Sequence, residues 1–153
     1  MDTIEHFKEL FDHNDWANRR VVASLRAAPS ERCTRILAHI LTAQQEWFER
    51  LYGKDSTGMD FWPDLSLDEC GRIAPEIAGR YERLLKSFDE EGLGLSVRYR
   101  TSKGVEHENT YREILTHVIL HSSTHRGNII LRLREEGREP PAIDHIIYLR
   151  EIS

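Results

Sequence analysis

Apolar residues recur at three- and four-residue intervals through four long stretches of this 153-residue chain. A chain patterned in this way folds into amphipathic helices, and each must bury its stripe against the others. The first stretch runs from about Thr3 to Ala27, with Ile4, Phe7, Leu10, Phe11, Ala17, Val21 and Leu25 on one side. Asp2, followed three residues later by Glu5, supplies a capping box at its start. The second runs from near Ser30 to about Tyr52 and turns Cys33, Ile36, Leu37, Ile40, Ala43, Trp47 and Leu51 inward, with Gly53 as its stop. Ser66 and Glu69 form a second capping box and open a third helix with the stripe Cys70, Ile73, Ile77, Tyr81, Leu84, Leu85 and Phe88. Pro75 is expected to kink or restart it, because proline lacks an amide donor and its ring crowds the preceding turn. Thr110 and Glu113 open a fourth helix, which continues to Gly137, where Pro140 and Pro141 block any extension.

The connections follow from composition. GKDSTGMDFWPDLS, residues 53–66, has no period and reads as a loop joining two pairs of helices. Leu95, Val97 and Tyr99 alternate with polar residues ahead of a Lys103-Gly104 turn, which predicts a two-stranded hairpin. IDHIIYLRE, residues 143–151, predicts a short terminal helix packed back on the bundle. The expected architecture is therefore all-α: one domain over residues 1–153, a four-helix bundle with a small hairpin insertion before the last long helix. A chain of this size buries an adequate core without disulfide staples.

Composition removes several function classes. Apolar residues make up 39% and charged residues 31%, which fits a water-soluble globular protein. No apolar run reaches the roughly 18 residues needed to span a bilayer, so no membrane association is expected. The segment MDTIEHFKELFDHND carries acids where an export signal has a basic start and an apolar stretch, so a cytoplasmic location is expected. A formal net charge of −5 argues against a general affinity for nucleic acid, which depends on concentrated Lys and Arg. Cys33 and Cys70 lie far apart without a Cys-x-x-Cys partner, so they are read as small buried hydrophobes.

The eight histidines carry more information through position than through number. His117, His121 and His125 follow one another at four-residue spacing, which stacks them on one helix face about 6 Å apart per step. A pair at that spacing presents two imidazoles to one divalent cation, and a third ligand must come from another element. His39 is the candidate, because it sits within the apolar stretch ILAHILTAQ. There an unpartnered ring costs about 2–7 kcal/mol to desolvate, and a metal ion would remove that cost. Isolated His-x-x-x-His pairs also arise by chance on helices, and any one of these residues alone reads as an ordinary core or surface histidine. His-Glu-x-x-His is absent, since Ser122 follows His121, and no glutamate base is built in. His117 is the alternative ligand, with a packing or supporting role more in keeping with its place one turn earlier. His6, His13, His107 and His145 are read as surface or capping residues.

FDHNDWANRRVVASL at 11–25, ILAHILTAQQEWFERLYG at 36–53 and THVILHSSTHRGNIILRLREEG at 116–137 together resemble the DinB family, with its YfiT-like metal-dependent hydrolases and thiol transferases. The resemblance covers nearly the whole chain and implies the same helical bundle. It also places a three-histidine metal site on His39, His121 and His125, the residues that spacing selects. Two positions depart from the pattern: Leu120 stands where many relatives have Asn, and Asn128 where the usual residue is Gln. Neither departure removes a ligand.

Three neutral imidazoles leave a coordination position for water or substrate, the arrangement of an open site. Zinc or nickel is the expected ion, with iron and manganese as alternatives that nitrogen ligands also accept. Such an ion lowers the pKa of a bound thiol or of water. Characterised relatives imply a thiol-dependent S-transferase acting on a small-molecule substrate with a low-molecular-weight thiol. A metal-dependent hydrolase and a non-enzymatic, stress-associated metal-binding or interaction protein are the alternatives. The family name suggests a DNA-damage role, against which the acidic balance weighs. The resemblance further implies a homodimer and a supporting contact to the site from Asn18. Arg126 is read as a solvated or salt-bridged helix residue, with orientation of an anionic group as its functional alternative. Trp16, Trp47 and Trp62 are read as core, with pocket lining as the alternative.

Overall fold

The structure is a computed structural model that describes residues 1–153. Four long helices, α1 (Thr3–Ala27), α2 (Glu31–Arg50), α3 (Leu67–Ser87) and α4 (Tyr111–Glu135), form the bundle. A hairpin of β1 (Ser96–Arg100) and β2 (Glu106–Thr110) precedes α4, and a short α5 (His145–Ile152) follows it. This is the all-α architecture that the periodicity predicts. No helix is long and apolar enough to cross a membrane.

The capping residues set the boundaries. Asp2 accepts from the Glu5 amide, Ser66 from Glu69 and Thr110 from Glu113, and each glutamate returns a bond to the cap amide. These capping boxes satisfy amides that the first helical turn cannot pair internally. Ser30 caps α2 by accepting from the Cys33 amide. Gly53 leaves α2 at φ 79°, a left-handed conformation that glycine adopts without steric cost.

Pro75 does not restart the helix, since α3 runs unbroken from Leu67 to Ser87. Pro75 lies on the exposed side, so the helix loses one amide bond toward the Gly71 carbonyl while the buried side keeps its packing. Cys70, Ile77, Tyr81, Leu84 and Leu85 remain buried, whereas Ile73 and Phe88 are only partly so.

Helix α2 packs chiefly against α4, and α1 against α3. Leu25, Leu37, Ile40, Leu41, Leu115, Ile129 and Leu133 have no solvent exposure, and Cys33 and Cys70 are equally enclosed, as small hydrophobes would be. Tyr81 stacks on Phe11 at 4.6 Å and donates its hydroxyl to the Gln44 backbone carbonyl at 2.6 Å, joining α3 to α1 and α2. The hairpin pairs antiparallel from Ser96 opposite Thr110 to Arg100 opposite Glu106, and buried Tyr99 packs against Trp47.

Replacing Pro75 with alanine restores the missing amide donor in an exposed helix interior. Chemical denaturation is expected to show Pro75→Ala more stable by about 2 kcal/mol, the roughly 3 kcal/mol interior proline cost less the up to about 1 kcal/mol of chain entropy that proline removes from the unfolded state. A less stable variant would show that α3 needs its proline.

Candidate metal centre

The α2–α4 packing brings His39 against His121 and His125, and one ring nitrogen from each lies within 4.8 Å of the other two. His39 Nε2 and His121 Nε2 are 3.2 Å apart. The ring centroids of His39 and His121 are 5.0 Å apart, and those of His121 and His125 are 4.5 Å apart. His39 is buried and the other two are half-buried, so the cluster is only partly screened from solvent.

The surroundings fix the rings. His39 Nδ1–H donates to the Phe61 carbonyl at 2.6 Å, which leaves the Nε2 lone pair facing His121. A hydrogen bond to a backbone carbonyl is a usual means of setting the tautomer of a metal-ligating histidine. The Trp62 indole lies flat on the other face of the same imidazole, at 3.8 Å between centroids and 2° between planes. The side-chain amide of Asn128 lies 3.2 Å from His125 Nδ1, which leaves Nε2 as the free nitrogen of that ring. Rotating that amide by half a turn lets its oxygen accept from Nδ1–H, the pairing that a cation on Nε2 requires.

Electrostatics suit a cation. Burial, with the neighbouring rings, holds His121 down at about 4, and burial lowers His39 and His125 as well. All three are neutral at pH 7 and present lone pairs. The cluster contains no carboxylate or thiolate, so a bound divalent ion would keep its full positive charge. These residues fit a divalent metal of the borderline class that imidazole accepts.

The other predicted residues divide. His117 does not join the cluster; its ring packs on Trp47 at 5.0 Å, one turn from His121. Trp62 touches the site, while Trp16 packs beside His13 and Tyr148. His6 and His107 are exposed as expected, but His13 is not a surface residue. It is buried, donates through Nε2 to the Ile143 carbonyl at 2.8 Å, and meets half-buried His145 edge-on at 5.1 Å, because the segment leading into α5 folds over it.

Arg126 is also corrected. It is neither solvated nor salt-bridged but 3% exposed, and its Nη1 donates to Asn14 Oδ1 at 2.5 Å and to Asn18 Oδ1 at 3.0 Å. Both asparagines in turn donate to Gln44 Oε1, which also accepts from Ser122. Asn18 thus reaches the site only through Gln44 and Ser122, the neighbour of His121. The sequence signal for this network is the polar residues on the inner faces of α1, α2 and α4, at Asn14, Asn18, Gln44 and Ser122.

A helical bundle carrying three converging histidines between its second and fourth long helices defines the class. A model of the DinB family matches residues 1–152, and the chain belongs to that family. Protein DinB of Bacillus subtilis (strain 168) is similar to it, 25% identical over 160 aligned positions that cover 92% of each chain. No solved structure gives a significant match.

The lowered histidines make the ion-free protein acid-sensitive. Folding holds them neutral, whereas the unfolded chain takes up protons once the pH drops below the ordinary histidine value of 6.5. The stabilising contribution is present above that value and is lost as the pH falls toward the folded-state value of about 4 for His121. Denaturant midpoints measured from about pH 7 to about pH 5 are expected to fall for the metal-free protein and to fall less for His121→Asn. Equal slopes would show that the cluster is not the acid-sensitive element.

Proposed function

We propose that His39, His121 and His125 bind one divalent transition-metal ion, zinc or nickel, and that the centre activates a low-molecular-weight thiol for transfer to an electrophilic small molecule. The observation that carries this reading is the convergence of three neutral imidazoles with no carboxylate among them. When bound, the ion supplies Lewis acidity that favours a thiolate over a thiol at neutral pH. An all-imidazole donor set suits an anionic sulfur because it brings no negative charge of its own.

The chain's own cysteines do not supply the sulfur. Cys33 and Cys70 have no solvent exposure, and burial raises both thiols, Cys70 to about 11. The nucleophile must therefore enter from solution, past the half-buried His121 and His125. Trp62, 41% exposed and flat against His39, offers an apolar face to the incoming carbon skeleton. His117, lowered by burial and by the positive charge of Arg50, is neutral at pH 7 and stands one turn from His121 as an acceptor for the thiol proton. The sulfur forms a bond to the electrophilic carbon, and the leaving group departs with the bonding electron pair. Hydrolysis is the second reading. The neutral cluster would activate water by the same acidity, with His117 again as the proton acceptor.

Three measurements test the proposal. Protein purified without a His-tag or nickel column is expected to contain or take up about one transition-metal equivalent per chain, and His39→Ala and His121→Ala are expected to lose it. Nickel titration is expected to quench the emission of Trp62 with the same stoichiometry, a response removed in Trp62→Phe. Metal-loaded protein should then accelerate conjugation of glutathione or cysteine to 1-chloro-2,4-dinitrobenzene. Ester hydrolysis without conjugation would favour the second reading, and no metal uptake would leave a non-enzymatic interaction protein.

A further inference from the structure

Residues 117, 121 and 125 mark one face of α4. At about 100° per residue, positions 123, 127, 130 and 134 lie roughly half a turn away, and there the helix borders a separate cavity of about 420 Å³. Its wall includes Arg126, Gly127 and Arg134 from α4, His13 from α1, and Asp144 and His145 where α5 begins.

Three independent features of this cavity point to an anion. The first is Arg126, a guanidinium 3% exposed with no carboxylate partner. Its Nη1 is held by Asn14 and Asn18, while its Nε and Nη2 donate to no protein atom. A guanidinium stays charged at neutral pH. An unpaired buried charge costs several kcal/mol, and an anion in the cavity would offset that cost. Arg134 lines the same wall and is also free of any ion pair, leaving Asp144 as the lone carboxylate of the lining against two arginines.

The second feature is Gly127. Glycine inside a helix costs about 1 kcal/mol relative to alanine, yet a Cβ built there would meet nothing within 4 Å. Packing does not require the glycine, and its missing side chain keeps the cavity wall open. The third is the start of α5. Its N-cap residue Asp144 makes no side-chain cap bond, so the His145 and Ile146 amides have no partner at the rim, and helix N-termini favour negative charge.

We infer that this cavity, on the opposite side of α4 from the histidine cluster, is a binding site for a small oxyanion group, the phosphate or carboxylate of a metabolite, held by Arg126 and Arg134. The site is independent of the metal reading, because none of its lining residues belongs to the cluster. Its connection to the centre is the chain from Arg126 through Asn18 and Gln44 to Ser122.

The test uses the whole, metal-free protein and follows thermal stability with inorganic phosphate, succinate or chloride at matched ionic strength. Phosphate or succinate is expected to raise Tm saturably where chloride does not, and the more effective of the two identifies the source of the oxyanion. Arg134→Gln, a change at an exposed position, is expected to weaken the apparent affinity about tenfold. Gly127→Leu, which fills the open wall without changing charge, is expected to abolish the response. His121→Ala is expected to retain it, so failure of the metal reading would leave this one standing. A shift no larger than that in chloride, or one unchanged in both Arg134→Gln and Gly127→Leu, would overturn the inference.

Discussion

Gln44 Oε1 accepts from Asn14, Asn18 and Ser122 at 3.0–3.2 Å, so one buried carbonyl oxygen ties α1, α2 and α4 together. Arg126 closes the network by donating to the oxygens of the same two asparagines. Each contact has a direction and a length, unlike the apolar packing around it. A buried polar group left unpaired costs about 1–3 kcal/mol, so a slip of one helix along another breaks several bonds at once. Ser122 is the neighbour of His121, and Gln44 lies little more than one turn beyond His39. The network that sets helix register therefore also sets the distance between the α2 and α4 imidazoles.

The loop after α2 completes what the helices begin. Phe61 and Trp62 belong to the aperiodic segment between α2 and α3, yet the Phe61 carbonyl fixes the His39 tautomer and the Trp62 ring covers its face. Phe61 also lies beneath the buried Arg50 guanidinium, which packs on Trp47 and Tyr99 as well. Arg50 Nε donates to Ser56, whose hydroxyl donates to Glu46, so the polar anchor of the loop is itself paired. One end of the bundle is in this way occupied by loop, hairpin and aromatic side chains, and the histidines lie beneath the part that the loop reaches.

The helices and their starts were legible because caps and apolar spacing are local signals: Asp2 with Glu5, Ser66 with Glu69 and Thr110 with Glu113 all form the bonds that their spacing predicts. His39, His121 and His125 were legible for a related reason, since four-residue spacing and an apolar setting are both visible along the chain. Pro75 does not restart α3 because a proline on an exposed helix face removes one bond without disturbing the buried stripe. Arg126 and His13 misled because their partners, Asn14 and Asn18 for one and the Ile143 carbonyl for the other, lie more than 100 positions away in sequence. Trp62 and Phe61 carried no period, and a stacking contact from a loop leaves no mark in local sequence.

On this reading three neutral imidazoles, without carboxylate or cysteine, form the inner coordination shell of one ion. X-ray absorption at the metal edge of zinc- or nickel-loaded protein tests it most directly. The expected spectrum shows a shell of three imidazole nitrogens with the remaining position taken by a light atom, and a sulfur scatterer at about 2.3 Å appearing only when an external thiol is added. Sulfur ligation in the absence of added thiol, or fewer than three imidazoles, would contradict it.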